Sequence, residues 1–183
     1  MFQYVVTKIT SHEYGQNPNL IIHGKIITKY GPCLLAITDG EKLCFVYFCK
    51  DYNLGFKELK NIYPLSNYTL NDQIIGRFVH YFEMNATGII HLQLKGTNFQ
   101  MKVWEYLLSI QRGSTVSYEE VAKGIGNPRG SRAVANAISK NNIAYFVPCH
   151  RVISKNRNLN KYRWGVEIKK LMLCEEMMNS FKN

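Results

Sequence analysis

The rhythm of apolar and polar positions changes along this chain. Up to about residue 60 it reads as strands and turns. Leu20–Ile27 is rich in β-branched residues, Tyr30-Gly31-Pro32 has turn chemistry, and Cys33–Thr38 is a second short apolar run. A turn at Asp39-Gly40 followed by Leu43–Phe48 completes a hairpin pattern. From Asp72 to Phe82 the apolar residues Ile74, Ile75, Phe78, Val79 and Phe82 recur with a helical period. A strand-like run, Ile89–Leu92, lies between Gly88 and Gly96. The pattern predicts a small α/β domain over residues 1–90 and a second domain over 91–183.

The second half reads as helices. Thr97 with Gln100, and Ser117 with Glu120, have the spacing of capping boxes. Phe99, Val103, Tyr106, Leu107 and Ile110 mark one face of a helix ending near Gly113. Val121, Ala122 and Ile125 line a short helix stopped by Gly126-Asn127-Pro128. A third helix follows over about Ser131 to Lys140, so helix, short Gly/Pro turn and helix form a helix-turn-helix pattern. Ala133, Val134, Ala137 and Ile138 make its apolar face. Arg132, Ala135, Asn136 and Ser139 make the other, where small side chains allow close approach to another surface. An ordinary surface helix would also tolerate them.

Charge changes that balance. The net charge is +10, with 9 Lys/Arg against 7 Asp/Glu in residues 1–96 and 14 against 6 in residues 97–183. A basic excess in the half that holds the helix-turn-helix is the electrostatic footprint of a nucleic-acid binder. No stretch approaches about 20 consecutive apolar residues, so no membrane span is read. The N-terminus has no signal-peptide pattern. Five cysteines at positions 33, 44, 49, 149 and 174 lack framework spacing, which points to a reducing, cytoplasmic setting. His12, His23, Cys33 and Cys44 share the first half, but there is no C-x-x-C or H-x-x-x-H pair, and no metal is expected. No Gly-rich dinucleotide loop appears, so no cofactor is expected. No dimerisation heptad appears either, and a monomer is expected.

The chemistry sits in Val147-Pro148-Cys149-His150-Arg151-Val152. A thiolate is the nucleophilic form of cysteine, and a nearby base or positive charge helps to form it. A small buried cysteine beside a structural histidine is the plainer alternative. The surrounding motifs decide between them. PCHRV at 148–152, GTNFQ at 96–100 followed by Val103-Trp104, Ser117-Tyr118 and Arg132-Ala133-Val134 appear in one order and spacing. Together they resemble the O6-alkylguanine-DNA alkyltransferases over Gly96 to Glu176.

The resemblance implies an RNase H-like N-terminal domain and a mainly helical C-terminal domain with a helix-turn-helix of winged-helix type. It implies repair of duplex DNA by one transfer of an alkyl group from O6 of guanine (possibly O4 of thymine as well) to Cys149. The target atom lies inside the stack, so the nucleotide must be flipped out. On this reading Arg132 fills the gap, and Ala133, Ala135, Asn136, Ser139 and Arg151 contact DNA, the helix lying in the minor groove. Tyr118, Pro148, Val152, Tyr162 and Arg163 line the guanine pocket, with Tyr118 also donating to the leaving oxygen. His150 is the base through a bridging water. Glu176 orients it, with Glu175 as the adjacent alternative. Asn141 holds the turn before the nucleophile.

Two positions depart from the family pattern. Asn142 replaces a proline and Arg163 a small hydroxyl residue, so a backbone N–H of Arg163 would take over the contact to guanine. The rival readings are a non-reacting alkyltransferase-like lesion binder, a cysteine hydrolase and a helix-turn-helix regulator. The first normally lacks the cysteine, which is intact here.

Overall fold

The computed structural model describes residues 2–10, 18–38, 41–83, 86–156, 158–159 and 162–180. The chain divides into two units, Met1–Thr97 and Asn98–Asn183. The first is built on a six-stranded sheet. Its strands are β1 (Phe2–Thr10), β2 (Leu20–Thr28), β3 (Gly31–Thr38), β4 (Leu43–Phe48), β5 (Asn67–Leu70) and β6 (Gly88–Gly96), in the order β1-β6-β4-β3-β2-β5. β2, β3 and β4 pair antiparallel, whereas β1–β6, β4–β6 and β2–β5 are parallel. Consecutive buried residues in β3 and β4 show that these strands are covered on both faces. β6 runs through residue 90 and carries the first unit on to Thr97.

Two elements differ from the sequence expectation. A helix, α1 (Tyr52–Ile62), follows β4, where the chain reads as strands and turns. Asp51 caps it by accepting from Asn53 N at 2.9 Å. Gly55 in its middle hides it from a periodicity reading. The glycine is there for packing: a Cβ would stand 3.0 Å from Cys49 Sγ and 3.4 Å from Leu34. Leu59 and Tyr63 then join Ile21, Leu34, Ala36 and Phe45 in the core. The helix expected over 72–82 is broken into α2 (Asp72–Gly76) and a 3-10 turn at Val79–Phe82. The expected turn at Asp39-Gly40 lies outside the described residues.

In this unit Cys33 and Cys44 donate to the carbonyls of Leu34 and Ala36. His23 Nδ1 meets the Tyr52 hydroxyl, and its ring stacks on Phe56 at 4.5 Å. His12 lies outside the described residues. Among the described residues no three His, Cys, Asp or Glu side chains gather as metal ligands, and no helix is long and apolar enough to cross a membrane.

The second unit comprises α3 (Asn98–Ser109), β7 (Val116–Ser117), α4 (Tyr118–Gly124), α5 (Ser131–Ser139), a 3-10 turn at Cys149–Arg151, β8 (Val152–Ile153) and α6 (Val166–Ser180). Met101, Val103, Trp104, Leu107 and Ile110 are buried along α3 and just past its end, and Trp104 Nε1 donates to Ala137 O at 2.9 Å, joining α3 to α5. The Ser117/Glu120 capping box starts α4. Gly126 ends it with φ +77°, a left-handed conformation that glycine adopts freely. α5 then buries Val134, Ala137 and Ile138. β7 and β8 pair in parallel, Val116 with Val152 and Ser117 with Ile153.

Candidate active site

The site is built where the 3-10 turn meets α6. The segment before the turn is tight. Val147 N donates to Ile143 O at 3.0 Å, Phe146 N to Ala144 O at 2.8 Å and Cys149 N to Val147 O at 2.7 Å. Tyr145 in its middle has φ 69°, an uncommon conformation for a residue with a Cβ. Asn141 holds this segment together. Its Oδ1 accepts from Ile143 N at 2.9 Å, and its Nδ2 donates to Val147 O at 3.0 Å, Ile143 O at 3.5 Å and Cys149 Sγ at 3.1 Å.

Cys149 and His150 lie in a 3-10 turn, with Pro148 buried just before them. Successive side chains there are about 120° apart, so the two diverge. Cys149 is 4% exposed. Burial pushes its thiol up, while hydrogen bonds from Asn141 and Tyr162 and the charge of Lys169 act the other way. His150 is fully buried. Its Nε2 meets Glu176 Oε1 at 3.0 Å, and its buried Nδ1 has no partner among the described residues. A carboxylate at Nε2 fixes the tautomer with the proton there and the lone pair on Nδ1. Burial holds the imidazole below its ordinary pKa, so it rests neutral.

Glu176 is the hub. Arg151 donates to its two oxygens at 2.8 Å from Nη2 and 3.0 Å from Nε, and Gly113 N at 3.3 Å. Burial opposes the carboxylate charge, but the hydrogen bonds from His150 and Arg151 and the Arg151 charge outweigh it and hold the group down to about 2. The neighbouring Glu175 turns to Arg112 at 3.4 Å. Arg151, expected among the DNA contacts, instead points inward. Its Nη1 bonds Ile110 O at 2.6 Å and the rest of its guanidinium is taken by Glu176, because an ionised carboxylate in this interior needs a full countercharge.

This arrangement has a consequence for acid stability. Glu176 stabilises the fold at pH above its unfolded value of about 4.3, and that contribution is lost as pH falls towards about 2. Neutral His150 adds a term of the same sign, since the unfolded chain takes up the proton below about 6.5. The melting temperature is expected to fall on acidification from pH 7 to 3. A His150→Gln variant should lose part of the drop at the upper end of that range. Equal slopes for both proteins would contradict the assignment.

Tyr118, the first residue of α4, is half-buried; burial and then the proximity of Cys149 push its phenol up, so it stays a hydrogen-bond donor. Tyr162 packs edge-on to Trp164 at 5.1 Å and reaches the cysteine sulfur. Val152 is buried, and its carbonyl accepts from Lys169 Nζ at 2.6 Å. On α5, Arg132, Asn136 and Ser139 are exposed and Ala135 is half-buried. Ala133, assigned to the apolar face as well as to the DNA contacts, is exposed and takes no part in the core, since at this pitch it falls a quarter-turn outside the Val134–Ile138 stripe. Arg163 is exposed and donates to Asn141 O and Asn142 Oδ1.

Two site residues escaped the sequence reading. Lys169, 1% exposed, lies two turns before Glu176 on the same face of α6, and that spacing was its signal. Arg151 was read only as a DNA contact. The signal for its inward role is that a buried carboxylate paired with a neutral imidazole still lacks a cation.

The comparisons fit this geometry. Residues 98–178 match the family model described as 6-O-methylguanine DNA methyltransferase, DNA binding domain. A methylated-DNA--protein-cysteine methyltransferase of Methanosarcina acetivorans is 38% identical over 148 residues, 78% of this chain and 90% of that protein. The similarly named protein of Kluyveromyces lactis is 47% identical over 92 residues, 50% of this chain and 49% of that one. The chain thus spans about half the length of some curated relatives that it matches. The crystal structure of Mycobacterium tuberculosis OGT in complex with DNA superposes with TM-score 0.70 at 30% identity, over 86% of this chain and 93% of that one. The shared motifs, the mixed α/β architecture and near-complete coverage of an archaeal relative together place this chain in the methylated-DNA--protein-cysteine methyltransferase family.

Proposed function

We propose that the protein repairs duplex DNA by moving the alkyl group of O6-alkylguanine to its own Cys149, once per chain. The observation that carries this reading is the buried array in which Asn141 holds the Cys149 sulfur while Glu176 fixes the neighbouring His150. The thiol proton passes to His150 Nδ1, through a bridging water. The sulfur attacks the alkyl carbon, an S–C bond forms and the C–O6 bond breaks. Tyr118 donates to the leaving oxygen, and the proton taken up by His150 is returned to the guanine, which restores the neutral nucleobase. Among the described residues no group of the site would cleave the thioether, so the protein is consumed.

Arg132 enters the helix when the nucleotide flips out. Ala133, Ala135, Asn136 and Ser139 let α5 lie in the minor groove, whose degenerate pattern suits a protein that must act in any sequence. Pro148, Val152, Tyr162 and the Arg163 backbone border the base. An RNase H-like first unit and a winged-helix type second unit are supported by the sheet order and by the β7–β8 pair beside α4. Five unpaired cysteines fit a monomer working in a reducing cytoplasm.

Intact-protein mass after mixing with a duplex containing O6-methylguanine tests the proposal. One added methyl per chain, found on the peptide that contains Cys149, is expected. Tight lesion binding without a mass gain would turn the reading to a lesion-flagging protein.

A further inference from the structure

We propose that Arg163 is a positioning residue: its guanidinium ties the Tyr162–Gly165 turn to the Asn141 carbonyl and the Asn142 side chain and so sets where the pocket turn stands relative to the Cys149 sulfur. The inference rests on the alkyl-transfer reading above. Arg163 Nη1 donates to Asn141 O at 3.3 Å and to Asn142 Oδ1 at 3.4 Å. The guanidinium carbon also lies 5.8 Å from the centre of the Trp164 ring.

What these contacts join is the reason to assign them a role. On one side, the turn is closed by Gly165 N donating to Tyr162 O at 3.0 Å, and it is carried by α6 through Lys169 N and Gly165 O at 3.4 Å. Tyr162 from this turn reaches the sulfur. On the other side, the Asn141 side chain is occupied by Ile143, Val147 and the sulfur itself. Its backbone carbonyl is what remains for Arg163. Asn141 therefore grips the nucleophile with its side chain and the pocket turn with its main chain. Both bonds leave one nitrogen, Nη1, whose two hydrogens serve acceptors on adjacent residues.

These bonds are long and partly exposed, so they add little to global stability. Geometry is a different matter, because small displacements of a reacting group slow a reaction far more than they weaken a fold. A cation at the rim of the site could instead contact a DNA phosphate, and free base separates the two roles. The test follows methyl uptake by the full chain against concentration, with O6-methylguanine as the free base and within a duplex. Wild type, Arg163→Ala, Arg163→Lys, Asn142→Ala and the Arg163→Ala/Asn142→Ala pair are compared.

Arg163→Ala is expected to lower the limiting rate about tenfold with both substrates, with little change in half-saturation or melting temperature. Arg163→Lys should recover part of the loss, and the Asn142 and Arg163 effects should not add. A loss confined to the duplex, with a weaker salt dependence, would make Arg163 a phosphate contact and overturn the proposal. So would an unchanged rate with both substrates, or a fall in melting temperature that accounts for the loss. Failure of the wild type to take up methyl from the duplex would instead remove the alkyl-transfer reading itself, and this inference with it.

Discussion

A Cys149→Ser variant is expected to lose methyl uptake by roughly 10³-fold or more, about 4 kcal/mol of barrier, while keeping its fold. A hydroxyl is a far poorer nucleophile than a thiol near neutral pH, and burial holds the His150 imidazole below its ordinary pKa, so it is too weak a base to deprotonate a hydroxyl and compensate. The fold should survive because Asn141 does not depend on the sulfur. Its Nδ2 also donates to Val147 O at 3.0 Å, and its Oδ1 still accepts from Ile143 N at 2.9 Å. Mass spectrometry with the O6-methylguanine duplex reads the first part and thermal melting the second. Uptake at the wild-type rate would move the acceptor away from Cys149. A collapsed fold would mean that the sulfur, rather than Asn141, organises the turn.

Glu176→Ala should damage both stability and reactivity. The change leaves Arg151, 14% exposed, and the fully buried His150 without their acceptor. Breaking such a buried pair from one side costs about 3–5 kcal/mol. The imidazole also loses the bond that fixes its tautomer, so the transfer rate should fall by roughly 10²-fold in any protein that still folds. Urea unfolding separates the two effects. Glu176→Gln keeps the volume and should unfold at a higher urea concentration than the alanine variant. Removing the cation together with the carboxylate, as Arg151→Met with Glu176→Leu, should recover stability but not activity, since an apolar pair of similar size leaves no orphaned charge. If Glu176→Ala unfolds at the wild-type urea concentration, the hub role is wrong. If the double replacement transfers methyl normally, Glu176 does not orient the base.

The residues themselves determined a good deal. The Ser117/Glu120 box, the Gly126 stop and the 3.6-residue period of α3 and α5 are local signals: the box satisfies the backbone at the start of α4, and the period sets which face of α3 and α5 is buried. The Cys149–His150 pair and the motifs that precede it were likewise legible, because each is a contiguous run of a few residues. α1 was not legible, because Gly55 interrupts its pattern for the sake of contact with Leu34 and Cys49, neighbours that only the folded sheet brings near. Arg151 was misread for the same reason. Its charge alone favours DNA, and only the fold places a buried carboxylate from α6, 25 residues on, against its guanidinium. The choice between Glu175 and Glu176 was also left to tertiary structure. Adjacent helical side chains differ by about 100° in direction, and which one faces His150 depends on how α6 is rotated against the turn. Local bonding is written in neighbouring residues, whereas the pairing of buried charges depends on which distant groups lose their water together.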